Sequence, residues 1–213
     1  MTGLVSIVTP TRPDRMGVLL ERCIPSVARL DWPGEVEHVI VSDRNPELRQ
    51  LVRTAHDWPE WTRLVEINDT WRDGTREKSV GAVPWHVGSL LALGEWVGFL
   101  GDDDEYLPEH VTQHIAAMQQ TGSDFSVSPV QFVIRGQPWM VIGDATFAHG
   151  HLDAIGIMCR AETLRAASWT ATGEDAADWR LVRDWQQAGK RGVFAAGPPT
   201  ALHHDGWAAA MSR

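Results

Sequence analysis

Three consecutive aspartates, Asp102-Asp103-Asp104, are the most distinctive chemical feature of the sequence. They follow residues 96–100, an apolar run with the length and composition of a buried strand. Three like charges at one point repel one another, and a bound divalent cation relieves that repulsion. Because the ligands are all oxygens, the pattern favours Mg²⁺ or Mn²⁺. A solvated turn at the start of a helix is the alternative, since aspartate is common in both.

Two further polar clusters follow predicted strands. Thr9-Pro10-Thr11-Arg12 comes after the apolar residues 4–8, and Asp43 comes after the apolar residues 39–41. In an open α/β sheet, ligands bind in the crevice at the carboxyl ends of the strands. The two clusters and the acidic triplet are therefore expected to converge on one edge of the sheet. This convergence favours a ligand site over a solvated turn.

The first half of the chain alternates short apolar runs with helical patterns, which predicts a largely parallel sheet flanked by helices. The predicted strands span residues 4–8, 39–41, 64–67 and 96–100. Pro10 and Pro13 are expected to end the first strand, since proline cannot donate a backbone hydrogen bond. A helix then runs to about residue 30. A later helix starts at Pro108, and its buried stripe is Val111, Ile115 and Met118.

The second half is different in kind. Residues 125–134 and 139–142 are predicted strands, joined by a hairpin-like link at Arg135-Gly136-Gln137. The other predicted elements are a strand at 155–158, a short helix from Ala161, a helix that buries Trp179, Val182 and Trp185, and a strand at 193–195. The seam between the halves lies just after Asp104, inside one compact domain of residues 1–213.

Composition and charge exclude several classes of protein. Hydrophobic residues make up 43% and charged residues 22%, an ordinary globular balance. The net charge of −9 argues against a broad surface for duplex nucleic acid or anionic lipid, but not against a local basic pocket. Cys23 and Cys159 are far apart, which favours a reducing cytoplasm. The amino terminus has the pattern of a strand rather than a signal peptide, and residues 90–100, interrupted by Glu95, are too short to cross a bilayer.

Taken together, these motifs resemble the large inverting glycosyltransferase family with the GT-A fold (family two-like). Residues 5–12 look like its first strand and donor-binding loop, and residues 39–43 like its second strand, whose terminal Asp holds the nucleotide base. Residues 92–104, reading Ala-Leu-Gly-Glu-Trp-Val-Gly-Phe-Leu-Gly-Asp-Asp-Asp, are close to its metal-binding segment. Glu174-Asp175, before a Trp-rich helix, resembles its catalytic acidic pair. The resemblance covers most of the chain and is weak between residues 124 and 152.

The resemblance implies a nucleotide-diphospho-sugar transferase-like fold, with residues 1–104 as the donor-binding half and residues 105–213 as the acceptor-binding and catalytic-base half. It implies that Asp104 ligates a Mn²⁺ or Mg²⁺ ion that bridges the donor's diphosphate, and that Asp102 contacts the metal or the ribose. The donor-binding residues are then Thr9, Pro10, Thr11, Arg12, Asp43, Lys78, Asp102 and Asp103. A UDP-sugar is the first expectation for the donor, and the sequence does not specify the acceptor.

Asp175 is the expected general base by the same resemblance, with Glu174 as its close rival. An acceptor hydroxyl is a poor nucleophile, so a carboxylate must take its proton as it attacks the anomeric carbon. A single displacement of the nucleoside diphosphate then inverts that centre. Taken alone, a carboxylate at this position is better explained by the favourable dipole at a helix amino terminus, and the presence of the acidic triplet puts the catalytic role ahead.

Histidines and a basic loop supply further candidates, each with a plainer alternative. His203 and His204 are candidate metal ligands, since some relatives resemble this arrangement; a flexible polar tail is the alternative. His110 and His114 have the spacing of a helical metal pair but no third ligand, so a solvated or half-packed helix face is expected instead. The loop that holds Lys78 either closes over the diphosphate or is a solvated, charge-mixed loop.

One segment departs from the family pattern. Where the family carries Ala-Arg-Asn-x-Gly, the chain reads Pro84-Trp85-His86-Val87-Gly88. The missing Arg and Asn leave open how the diphosphate is neutralised. The chain also has 11 tryptophans, of which one or two are expected to touch substrate and the rest to be core residues.

Two rival functions share the same features. A nucleotidyltransferase also binds a nucleotide on such a sheet, but it would carry a glycine-rich basic loop after the first strand, and Thr9-Pro10-Thr11-Arg12 has no glycine. A non-catalytic nucleotide- or carbohydrate-binding protein is the second rival. The presence of Asp102, Asp104 and the Glu174-Asp175 pair argues against it.

Overall fold

A computed structural model describes residues 3–43, 45–54, 58–67, 82–167, 169 and 177–204, and of Asp43 only the backbone. Its centre is a seven-stranded sheet in the order β10-β6-β9-β4-β1-β2-β3. The strands are β1 (Val5–Thr11), β2 (Val36–Asp43), β3 (Thr62–Ile67), β4 (Trp96–Phe99), β6 (Phe125–Val127), β9 (Ile157–Arg160) and β10 (Gly192–Phe194). All of them run in the same direction except β9, which is antiparallel to both of its neighbours. The prediction of a mostly parallel central sheet is confirmed.

A second, four-stranded sheet lies at the carboxyl side of the first, in the order β5-β11-β7-β8. It contains β5 (Glu105–Tyr106), β7 (Val130–Ile134), β8 (Gln137–Ile142) and β11 (Ala201–His204). Strand β5 follows the acidic triplet directly, and β11 pairs with it antiparallel. The small sheet therefore starts from the same turn that ends β4.

Helices cover both faces of the large sheet. A helical run over residues 13–28 contains α1 (Met16–Val18), a π-helical turn (Leu19–Cys23) and α2 (Ile24–Ala28). The longer helices are α3 (Pro46–Thr54), α4 (Ala82–Leu91), α5 (His110–Thr121) and α6 (Ala177–Gln187), and short 3₁₀ turns occupy Pro13–Arg15, Ala154–Gly156 and Ala161–Arg165. No helix in these described ranges is long and apolar enough to cross a membrane.

Two apolar cores result from the alternation of side chains along the strands. Val5 and Ile7 of β1 pack with α2, α5 and the small sheet, whereas Val8 packs on the other face with α4 and α6. Helix α4 approaches β1 closely because residue 88 is glycine. A Cβ there would lie 2.2 Å from Val8 Cγ1. The glycine that the chain shares with the family pattern therefore has a packing role.

The prediction that prolines end the first strand is wrong. β1 continues through Pro10 to Thr11, in register with β2. Leu100 donates its N–H to the Val8 carbonyl, so the backbone groups of Val8 and Pro10 face the β4 side of the sheet. Strand β4 ends at Phe99, beside Val8. No β4 residue lies opposite Pro10, so the absence of an N–H at Pro10 breaks no hydrogen bond between the strands.

The predicted strand over residues 125–134 is two strands in different sheets. β6 belongs to the large sheet and β7 to the small one, and the break falls at Ser128-Pro129. The predicted hairpin between β7 and β8 is confirmed. Its turn has positive φ at Arg135 (51°) and Gly136 (74°), the geometry that a tight hairpin of matching twist requires.

The expectation of a solvated or half-packed face at His110 and His114 is also wrong. Both side chains are fully buried on α5. His110 Nδ1 lies 3.0 Å from Thr200 Oγ1, and His114 Nδ1 lies 2.6 Å from Ser126 Oγ. Burial lowers the pKa of both imidazoles, that of His114 to about 3, so they are neutral core residues.

Candidate functional site

The acidic triplet forms a tight turn immediately after β4. Leu100 donates to the Val8 carbonyl at 3.0 Å, and the Asp104 N–H approaches the Gly101 carbonyl at 3.3 Å, which closes the turn. Gly101 leaves room for a carboxylate, because a Cβ there would lie 2.3 Å from Asp104 Oδ2. The absence of a side chain at Gly101 therefore sets where the Asp104 carboxylate can lie.

The carboxylate of Asp104 joins this turn to β11. Its Oδ1 accepts the backbone N–H of His204 at 2.9 Å, and the side chain is only 3% exposed. Burial raises the pKa of Asp104 well above its usual range, although the nearby charge of His203 opposes that rise. A buried carboxylate of this kind is a group that a cation would stabilise.

His203 lies between two carboxylates. Its Nδ1 is 3.1 Å from Asp153 Oδ2, an ion-pair distance without ideal hydrogen-bond angles, and its ring stacks on Phe132 with centroids 4.5 Å apart. Burial alone lowers the pKa of His203, but Asp153 and Asp104 together raise it to about 9. Without a metal, His203 is therefore a cation at neutral pH.

His204 has a different environment. Its Nε2 lies 2.9 Å from Glu105 Oε1, so the imidazole is engaged by Glu105 and only the backbone N–H reaches Asp104. Both histidines belong to strand β11, which rules out a flexible tail at these two positions. Of the two predicted ligands, His203 is the one whose ring shares its surroundings with Asp104.

Asp103 and Asp102 face the helical run that follows β1. Asp103 forms an ion pair with Arg15, and Arg22 donates to the Asp103 carbonyl at 2.6 Å. Burial, and then the charge of Asp103, raise the pKa of Asp102 to about 7, while Thr11, Arg15 and Arg12 act in the opposite direction. The negative charge of Asp103 is thus neutralised by its ion pair with Arg15, whereas the charge of Asp102 is only partly offset by the groups around it.

The predicted donor-binding residues in and after β1 differ in the exposure of their side chains. The Thr9 side chain is fully buried, and its Oγ1 lies 2.8 Å from His38 Nε2. Only its backbone can therefore line a ligand pocket. Thr11 Oγ1 is buried beside Asp102 with no partner of hydrogen-bond geometry among the described residues. Pro10 is half-buried, and Arg12 is exposed and pairs with Asp14 at 2.9 Å.

Three predicted site residues, Lys78, Glu174 and Asp175, lie outside the described residues, as does the side chain of Asp43. The backbone of Asp43 ends β2, one residue beyond the Ser42 that pairs with Thr11. The carboxyl ends of β1, β2 and β4 therefore do meet at one edge, as predicted.

Sequence reasoning missed two carboxylates, Asp153 beside His203 and Asp178 within reach of the charge of Asp153. Asp153 precedes a 3₁₀ turn, and its Oδ1 accepts the N–H of Ile155 at 3.1 Å. Asp178 lies in the first turn of α6, and burial, followed by the charge of Asp153, raises its pKa to about 7. No motif in the sequence connects either residue with the acidic triplet. By contrast, the two arginines that bind Asp103 could have been found from the sequence. Arg15 and Arg22 are seven residues apart on one helical run, a spacing that places them on the same face.

Asp102 and Asp104 fit a metal that is shared with a phosphate ligand. Within the described ranges, no group of three or more His, Cys, Asp or Glu side chains is arranged to hold a metal alone. Mg²⁺ sites in phosphate-handling proteins commonly use one or two carboxylates, and phosphate oxygens and waters complete the shell. The two buried carboxylates match that chemistry, as does the Thr11 hydroxyl, which has no hydrogen-bond partner in the part of the chain that the structure describes.

Trp85, which replaces the arginine of the family pattern, is a core residue. It is 8% exposed, stacks on Trp169 at 4.7 Å and meets Phe99 edge-on at 6.5 Å. The side chain therefore brings no charge to the crevice. Among the described tryptophans of the second half, Trp139 on β8 is 49% exposed, whereas Trp169 is buried.

Comparison with known proteins identifies the fold. A family model described as glycosyl transferase family 2 matches residues 6–161. S. aureus TarS residues 1–349, solved in complex with UDP-GlcNAc, is 17% identical with a TM-score of 0.72, and the match covers 96% of this chain and 59% of that one. A mannosyltransferase from Pyrobaculum calidifontis, solved in complex with GDP-Man and Mn²⁺, is 15% identical with a TM-score of 0.67, covering 96% and 57%. A search of curated protein sequences finds no match.

Proposed function

The chain belongs to glycosyl transferase family 2, and we propose that it is a metal-dependent, inverting glycosyltransferase that uses a nucleotide-diphosphate sugar. The chain spans 59% of the length of the TarS fragment. Its activity is therefore inferred from its own residues as well as from its family. The family match also disfavours the nucleotidyltransferase alternative. A UDP-sugar is the first donor to test and Mn²⁺ or Mg²⁺ the first cation.

The observation that carries the proposal is the buried pair Asp102 and Asp104 at the end of β4. Both carboxylates have raised pKa values, chiefly because they are buried. They lie where β1 and β2 also end, the edge at which an open α/β sheet binds ligands. A divalent cation bound there would stabilise the negative charge that develops on the leaving diphosphate.

The other residues of the site have proposed roles in binding the donor and the cation. We assign the nucleoside to the backbone of Thr9 and Pro10, to Thr11 and Arg12, and to Asp43, with Asp103 supporting the turn and Lys78 covering the diphosphate. His203 is the candidate third ligand, and His204 supports the site through its backbone N–H to Asp104. The roles of the β1 and β2 residues follow from their position at the carboxyl edge of the sheet, whereas the role of Lys78 rests on the sequence alone.

Asp175 is the proposed general base and Glu174 the alternative. The base takes the proton of the acceptor hydroxyl as its oxygen attacks the anomeric carbon, so the configuration inverts in one step. Asp178, three residues after Asp175, is affected by the charge of Asp153, which pairs with His203. The first turn of α6 therefore lies near Asp153.

Tryptophan fluorescence provides a direct test of the donor. UDP-, GDP- and TDP-sugars are titrated with Mn²⁺ and again with EDTA. One donor is expected to quench the fluorescence only when the metal is present. Equal responses with EDTA would contradict metal dependence.

Donor turnover then separates an enzyme from a binding protein. Asp175→Asn should abolish donor hydrolysis and transfer while nucleotide binding persists. Asp184→Asn is the matched control, since Asp184 lies on α6 in an ion pair with Arg183 at 2.7 Å. NMR of the product anomer should show inverted configuration, and retained configuration would contradict the proposed single displacement.

A further inference from the structure

A carboxylate that no sequence motif identifies lies beside the imidazole of His203. Asp153 Oδ2 lies 3.1 Å from His203 Nδ1. The two ring nitrogens of histidine point in nearly opposite directions, so an acid at Nδ1 directs Nε2 away from itself. Asp104, at the proposed metal site, and more weakly Asp103 also act on the charge of His203.

Asp153 is itself held in place. Its Oδ1 accepts the N–H of Ile155 at 3.1 Å, and its side chain is only 14% exposed. Phe132 stacks on the His203 ring at 4.5 Å with an interplanar angle of 12°. The carboxylate and the ring face together define one orientation of the imidazole.

We propose that Asp153 is a positioning residue, which keeps the proton of neutral His203 on Nδ1 and thereby presents Nε2 to the cation bound at Asp104. Histidines that ligate metals usually donate their other N–H to a carboxylate or a carbonyl, which fixes both tautomer and ring angle. This inference rests on the metal site of the proposed function. It adds a residue that acts on the metal only through His203.

The Asp153→Asn substitution tests whether Nδ1 of His203 must carry the proton in this pair. If the amide oxygen keeps the Ile155 N–H, the amide NH₂ faces His203 Nδ1 and can only donate to it. Nδ1 must then be the acceptor, so the ring proton moves to Nε2 and blocks the metal. Asp153→Ala is the second variant, because it removes the pairing without enforcing the wrong tautomer.

The chain contains a matched control. Asp144 accepts the N–H of Thr146 through Oδ1 at 2.8 Å and holds His151 Nδ1 through Oδ2 at 2.6 Å. This arrangement is similar to that at Asp153, but both side chains are exposed and distinct from the acidic turn. Asp144→Asn therefore repeats the chemical change away from the proposed metal.

The experiment measures Mn²⁺ affinity by electron paramagnetic resonance of the free ion, with thermal melting to verify the fold of each variant. Asp153→Asn is expected to weaken Mn²⁺ binding by about 10- to 100-fold, Asp153→Ala to weaken it less, and Asp144→Asn to leave it unchanged. In a His203→Ala background, Asp153→Asn should have no further effect, because its route to the metal has already been removed.

Two results would overturn the inference. One is wild-type Mn²⁺ affinity in a folded Asp153→Asn protein. The other is an equal loss on Asp153→Asn with and without His203, which would mean that Asp153 acts by another route. Asp104→Asn separates the underlying assumption from the inference, since full Mn²⁺ affinity in that variant would refute the metal site itself.

Discussion

Asp104 Oδ1 accepts the backbone N–H of His204, a residue 100 positions later in the chain, at 2.9 Å. This hydrogen bond ties the turn that ends β4 to strand β11 of the small sheet. It also brings His203, the neighbour of His204, to the turn that contains the three consecutive aspartates. The proposed catalytic chemistry depends on this connection between the two sheets.

Substitution of Gly101 should impair function more than stability. In Gly101→Ala the new Cβ would overlap Asp104 Oδ2 at 2.3 Å, so the carboxylate must move. A displacement of about 1 Å can cost on the order of 100-fold in rate, and we expect a loss of at least tenfold in both Mn²⁺ affinity and transfer. Gly17→Ala is the control, since nothing lies within 4 Å of its Cβ. Equal behaviour of the two variants in a Mn²⁺ titration would contradict the role of Gly101.

Loss of Arg15 should shift the pH at which the metal binds. Arg15 pairs with Asp103 and lowers the pKa of Asp102, so Arg15→Ala leaves Asp102 protonated at higher pH. Because a cation competes with that proton, the midpoint of Mn²⁺ binding should move to higher pH. Mn²⁺ titrations between pH 5 and pH 9 measure this midpoint. Arg29→Ala, which removes an exposed partner of Glu105 at 3.6 Å, should leave it unchanged; an unshifted midpoint in Arg15→Ala would contradict the prediction.

The buried histidines should make the fold sensitive to acid. Burial lowers the pKa of His114 to about 3, so between pH 6.5 and 3 the unfolded chain binds a proton that the folded protein excludes. Stability from this group is complete above the unfolded pKa and is lost as the pH falls below it. His114→Gln should therefore gain about 2 kcal/mol relative to the wild type between pH 7 and pH 5. Urea unfolding at the two pH values measures this difference, and a gap independent of pH would contradict it.

Restoring the arginine of the family pattern at position 85 should not restore a family-like site. Trp85 is 8% exposed between Trp169 and Phe99, so Trp85→Arg buries a charge against two aromatic rings. We expect a loss of about 3 kcal/mol or more, against a smaller loss for Trp85→Phe. Thermal melting distinguishes the two variants, and a stable Trp85→Arg protein with tighter donor binding would contradict this account.

The sequence predicts the strands of the large sheet and the edge at which its ligands meet, because those features depend on local apolar runs. Residues 96–100 and the acids after them illustrate this, since β4 and its turn form as expected. The extent of β1 could not be predicted in the same way. Whether Pro10 ends the strand depends on where β4 stops, and that is determined by the tertiary structure.

The positions of the outer residues of the candidate site also depend on tertiary structure. Asp153 precedes a 3₁₀ turn and Asp178 lies in the first turn of α6, and Asp153 meets His203 only when β11 inserts beside β7. Likewise, the spacing of His110 and His114 places them on one face of α5 but does not show whether that face is buried. Their burial follows from the packing of α5 against β6 and β10. Pairings of this kind leave no periodic signal in the sequence.

The central claim is that a cation held by Asp104 binds the donor's diphosphate. Calorimetric titration of UDP into the wild type and Asp104→Asn, each with Mn²⁺ and with EDTA, tests it most directly. The asparagine oxygen can still accept the His204 N–H, so the fold is preserved. We predict that Mn²⁺ tightens UDP binding at least tenfold (about 1.4 kcal/mol) in the wild type and has no effect in Asp104→Asn. Equal affinities with Mn²⁺ and EDTA in the wild type, or a full Mn²⁺ effect in the variant, would contradict the account.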